Sequence, residues 1–104
     1  AGGDIHLKGD AAAAFRRLIG HEGVTVSERT TIYGTKEPPS ACMVAHEAIH
    51  KQQASVIADA LVKIGAIDDD KLSRAAAWIS IYGISYLNHG YENRFELGAR
   101  AACP

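Results

Sequence analysis

Residues 40 to 65, SACMVAHEAIHKQQASVIADALVKIG, contain neither proline nor glycine before the last position. Ser40, just after Pro39, is a good N-cap and Gly65 a good stop, so the stretch predicts one helix running to about Ile64. In a chain of 104 residues that helix takes about a quarter of the length, and the other elements must find their core against it.

Those other elements are shorter. GDAAAAFRRLIG predicts a first helix with Asp10 as N-cap and Gly20 as stop. GVTVSERTTIYG, dense in β-branched residues between Gly23 and Gly34, predicts one strand or a bent pair, and TKEPPS is a loop. After the turn AIDDD, Asp69 or Asp70 caps a helix from Lys71 to about Leu87, with Leu72, Ala75, Ile79, Tyr82 and Tyr86 near one face. NHG breaks that helix, and YENRFELGARAA starts the last one. The expected fold is α+β and mostly α, a single domain over residues 1–104.

Composition narrows the partners. Eleven basic and twelve acidic side chains give a net charge of −1 with no basic cluster, which argues against nucleic acid and anionic membrane. The longest apolar run, around residues 75 to 81, is too short for a membrane span. The opening Ala-Gly-Gly-Asp, with no initiator Met and no apolar leader, is what a mature or trimmed product would show, and it does not exclude export.

Within the long helix stands His46-Glu47-Ala48-Ile49-His50. At 100° per residue the two histidines lie about 40° apart and about 6 Å apart along the axis, so both imidazoles reach one metal ion. Glu47 stands beside them, in position to act as a general base. A zinc ion held by three protein ligands keeps a fourth position open for water, which is why such a pattern points to hydrolysis. His21-Glu22 begins the same way, but Gly23 breaks the helix and Thr25 replaces the second histidine.

A third ligand must come from elsewhere. The extension HExxHxxGxxH fails, with Gln53 at the glycine position and Val56 at the last histidine, which excludes a metzincin. YENRFELGAR offers Glu92 and Glu96, one turn apart on a helix, and either is able to ligate.

HEAIHKQQ fits HExxHxxQ, and NRFELGAR resembles the Asn-Pro-aromatic-Glu-x-Glu-Ala segment of small bacterial gluzincin-like zinc metallopeptidases of the DUF4157 type. The resemblance covers roughly residues 24 to 102, with Arg94 in place of the Pro and Gly98 in place of the second Glu. It implies a minimal zincin-like domain with VTVSERTTIYG supplying an edge strand. His46, His50 and Glu96 would ligate Zn2+, and Glu47 would be the base. The implied activity is hydrolysis of peptide bonds in a peptide or protein substrate, peptidoglycan peptides included. The alternatives are a non-catalytic module on the same scaffold, or a toxin-like effector with a matching inhibitor or immunity protein.

Other polar residues have a functional and a plain reading. Gln53, on the ligand face, either hydrogen-bonds near the metal or is solvated. His89, expected in a turn, either stabilises an oxyanion or simply ends the helix. Tyr82, Tyr86 and Tyr91 either donate to a tetrahedral intermediate or pack with a satisfied hydroxyl. Arg100 pairs with Glu96, binds substrate charge or forms a surface ion pair. Asp59 should face away from the metal. Cys42, one turn before His46, and Cys103, beyond Glu96, either bridge the catalytic and ligand helices or stay free, Cys42 then being a soft ligand. A bridge would indicate a secreted or cell-envelope protein.

Overall fold

The long helix of the computed structural model, which describes residues 3–35 and 38–103, is α2, Ala41–Lys63. Its cap is as expected, with the Ser40 hydroxyl accepting from the Met43 amide at 3.1 Å. Three earlier strands and one helix precede it: β1 (Ile5–His6), α1 (Gly9–Ile19), β2 (Gly23–Thr25) and β3 (Thr31–Tyr33). Two helices follow, α3 (Lys71–His89) and α4 (Arg94–Arg100), joined by a 3-10 turn at Gly90–Glu92. The architecture is α+β and mostly helical, as the sequence predicts. Lys36 and Glu37, within the predicted TKEPPS loop, lie outside the described residues.

The β-rich segment resolves as a pair, β2 antiparallel to β3 with Thr25 opposite Thr31. The sheet has a third strand that the sequence reading missed, since β1 pairs parallel to β3 with Ile5 opposite Ile32. Two residues are too few to display an alternating pattern. In the order β1-β3-β2, the strand next to α2 in sequence is central, and β1 and β2 are the two edges.

Three further expectations shift. Asp10 lies inside α1, whose N-cap is Lys8 with no side-chain cap; Asp10 instead places a carboxylate in the first turn, favourable to the helix dipole. The apolar stripe of α3 centres on Trp78, 1% exposed, and not on Leu72 or Ile79, which are 80% and 51% exposed. A single large indole with a buried N–H decides the rotation, because Trp78 Nε1 donates to the Thr25 carbonyl at 2.8 Å and pins α3 to β2. The last helix starts at Arg94, where Asn93 caps it by accepting from the Phe95 and Glu96 amides, both at 3.0 Å.

Small residues allow the close packing on α2. Ala54 and Ala58 are buried on α2, and α3 and α4 both pack against it, α4 bringing the fully buried Ala99. Gly34 is required where α1 meets the sheet, because a Cβ there would stand 2.5 Å from Phe15 Cδ1 and 3.2 Å from the Ala12 carbonyl. Arg74 on α3 bridges elements by pairing with Glu28 at 2.9 Å, Asp69 at 3.1 Å and Asp59. Asp59 thus points away from the histidines, as its place on the helix predicts.

Candidate metal centre

His46 and His50 project from the middle of α2 toward the first turn of α4, where the Asn93 cap fixes Glu96. His46 Nε2 lies 3.1 Å from Glu96 Oε2, and His50 Nε2 lies 2.8 Å from Glu96 Oε1. The three donor atoms fall within 4.8 Å of one another. Ligands about 2.1 Å from a common tetrahedral ion stand about 3.4 Å apart, so the group has the dimensions of a metal site.

The far sides of both imidazoles fix their protons. His46 Nδ1 faces the Cys103 carbonyl at 3.3 Å, and a carbonyl only accepts, so Nδ1 carries the hydrogen. Gln53 Nε2 donates to the Phe95 carbonyl at 3.1 Å, which turns Gln53 Oε1 toward His50 Nδ1 at 2.9 Å and makes that nitrogen a donor as well. In the neutral rings both Nε2 lone pairs then face a carboxylate. Three electron-rich atoms at such distances require a cation among them, either a proton or a metal ion. The residues fit a metal, and His-His-Glu is able to bind one.

Electrostatics agree with that need for positive charge. Burial alone would raise the Glu96 carboxyl, but hydrogen bonds and charge from His50, with help from Tyr82 and His46, hold it at about 2. Burial works against a charged His50, and the hydrogen bonds with Glu96 and Gln53 outweigh it and raise its pKa. The Tyr82 hydroxyl donates to Glu96 Oε1 at 2.9 Å, so it is engaged with the carboxylate and does not point freely at a substrate. Burial, then the Glu96 charge, keep that hydroxyl protonated.

Glu47 is also buried, 6% exposed, with Oε2 4.0 Å from His46 Nε2. Its other oxygen accepts from the Thr25 hydroxyl at 2.8 Å, and Thr31 donates to Thr25 in turn at 2.8 Å. The sequence reading missed this relay; its only trace is that two threonines occupy the inward, paired positions of β2 and β3.

Glu47 and the His-His-Glu group open onto a cleft of about 740 Å³ between β2 and α3. Gln53 is not solvated but hydrogen-bonds His50. Gly98 has a local reason too, since a Cβ there would lie 2.9 Å from Gln53 Nε2, in the space the orienting amide occupies. Tyr91 lines the cleft, stacked on His21 at 4.8 Å, so the stretch from His21 to Thr25 lines the site, although it runs into strand β2 and its Glu22 is not among the converging metal-ligating groups. His89 and Glu92 are exposed and do not line the cleft. His89 is the last residue of α3, since the helix continues two residues beyond the predicted Leu87. Glu92 lies in the 3-10 turn and not on α4, so it turns outward to pair with Arg100 at 3.3 Å, which leaves Arg100 unavailable to Glu96.

Cys42 and Cys103 form a disulfide, so Cys42 is not a thiolate ligand. The bridge ties the start of α2 to the segment after α4 and holds the Cys103 carbonyl against His46. With a sequence separation of 61, breaking it is expected to cost about 4 kcal/mol by loop entropy. A thermal melt with and without a thiol reductant measures that cost. Gln53→Ala, which removes the acceptor on His50, is expected to weaken metal binding roughly 10- to 100-fold by competition titration, with little change in the melt.

No family model, no curated protein and no solved structure matches this chain. Among the described residues no helix is long and apolar enough to cross a membrane.

Proposed function

We propose that this domain is a zinc-dependent hydrolase of peptide bonds, with His46, His50 and Glu96 as ligands and Glu47 as the general base. The observation that carries the reading is the pair of imidazoles whose Nδ1 hydrogens are committed to carbonyl oxygens while both Nε2 atoms face Glu96 beside a second buried carboxylate. A structural His-Glu pair would explain the first carboxylate and leave the second without a role. The gluzincin-like pattern in the sequence supports the same assignment.

When bound there, zinc would supply a Lewis acid for the substrate carbonyl and make water a stronger acid. The chain's own residues do the rest. Thr25 holds one oxygen of Glu47, leaving the other to take a proton from the attacking water and deliver it to the departing amine. The edge strand β2 offers backbone groups along the cleft, to which an extended peptide can add as a further strand. The disulfide supports an exported protein, secreted or held in the cell envelope.

The test is metal content together with turnover. Zinc-loaded protein is incubated with an unfolded polypeptide and the fragments are read by mass spectrometry. One zinc per chain with cleavage reversed by a chelator is the expected result. Zinc bound without cleavage would make the domain a binding module, and no zinc at all would leave the histidines structural.

A further inference from the structure

Gly83 stands in the middle of α3, a 19-residue helix, where glycine is among the least favourable choices. Two structural reasons normally retain a glycine in such a place, and neither applies. Its φ is not positive, and a Cβ built on it would meet nothing within 4 Å. The open space belongs to the cleft, which Gly83 lines between Tyr82 on one side and Tyr86 and Leu87 on the other. Val24 of β2 lines the same cleft.

The residues beside this gap are apolar, and two of them are open to solvent. Leu87 is 86% exposed and Tyr86 38%, as apolar residues at the mouth of a binding site are. The charged groups lining the cleft, among the described residues, are Glu22, Glu47 and Glu96, with no lysine or arginine. Away from the metal itself, an acidic side chain of the substrate would find no lysine or arginine in the cleft to pair with.

Building on the hydrolase reading, we infer that Gly83 is a specificity-determining position: its missing side chain makes room for a bulky apolar or aromatic side chain of the substrate next to the scissile bond. Peptides with Phe or Leu there are preferred, and peptides rich in Asp or Glu are poor substrates.

The experiment compares zinc-loaded wild type with Gly83→Ala and Gly83→Leu on a peptide set that varies the two residues flanking the scissile bond. Both variants fold, and Gly83→Ala melts about 2 to 6 °C higher because the helix improves. In Gly83→Leu, kcat/KM for Phe and Leu peptides falls at least tenfold, while Ala peptides change less than twofold; Gly83→Ala shows the same trend at two- to threefold. An unchanged profile, or an equal loss for all peptides, overturns the inference.

Binding separates this result from the fate of the hydrolase reading. Trp78 is the only tryptophan and lines the cleft, so its fluorescence reports titration with a blocked Phe-containing peptide. If wild type binds that peptide and Gly83→Leu does not, with no cleavage by either, the hydrolase reading fails and the apolar site stands. If wild type cleaves other peptides in a chelator-sensitive way but neither binds nor cleaves apolar ones, hydrolysis stands and this inference is wrong.

Discussion

Glu96→Ala is expected to strip the protein of stoichiometric metal, from one ion per chain to less than about a tenth after dialysis against a weak chelator. Among the described residues the carboxylate alone touches both Nε2 atoms, and two imidazoles by themselves make a far weaker site. Loss of the side chain need not unfold α4, because the Asn93 cap bonds the Glu96 backbone amide. Glu96→Gln keeps the volume and a neutral acceptor, so it should lose metal with a smaller change in melting temperature. Glu92→Ala should keep its metal, since Glu92 faces solvent with Arg100. Elemental analysis beside a circular-dichroism melt distinguishes a lost ligand from a lost fold.

The same group gives the metal-free protein a characteristic pH dependence. Glu96 has its folded pKa depressed to about 2 from 4.5, so its contribution to stability is present above 4.5 and lost as pH falls toward 2. His50 has its folded pKa raised above 6.5, so its contribution is full below 6.5 and lost as pH rises through the folded value. The triad therefore stabilises the metal-free fold most between about 4.5 and 6.5. Metal must displace a proton shared within the triad, so the gain in melting temperature on adding zinc should grow above that window. Melts with and without zinc at pH 5 and pH 8 measure the difference.

Much of the site was legible because it depends on local geometry. His46, Glu47 and His50 share a helix whose ends are written in the sequence as the Ser40 cap and the Gly65 stop, and helical periodicity alone brings them to one side. Glu96 needed more, a choice between two carboxylates one turn apart. The structure separates them through the break at Asn93, which places Glu92 in a 3-10 turn and Glu96 in the first turn of α4. The groups that orient the two histidines and Glu47 were less visible. Cys103 acts through a backbone carbonyl, which any residue would supply, and Thr25 acts across a sheet-to-helix contact that no local pattern encodes. The rotation of α3 was misread for a related reason: Leu72 and Ile79 have the right spacing, yet a tertiary bond from Trp78 to β2 sets the buried face.

Glu47→Gln should retain the metal and lose the reaction. Glu47 is not one of the three converging donors, and its Oε1 is occupied by Thr25, so an amide of equal size is able to keep that hydrogen bond with its carbonyl oxygen. What the amide cannot do is accept a proton at the second position. Turnover should fall roughly 10²- to 10⁴-fold, the usual contribution of a positioned general base, with KM little changed. Thr25→Val offers the complementary case, since it removes the hydroxyl that aims Glu47 but leaves the carboxylate. A kcat loss smaller than that of Glu47→Gln, without loss of metal, would mark Thr25 as a positioning residue. Full activity in Glu47→Gln would instead mean that Glu47 is a buried partner of the threonine relay, and that the proton goes elsewhere. Because both substitutions leave the His-His-Glu group intact, metal content stays constant across the series, and a change in rate can be assigned to proton transfer and not to binding.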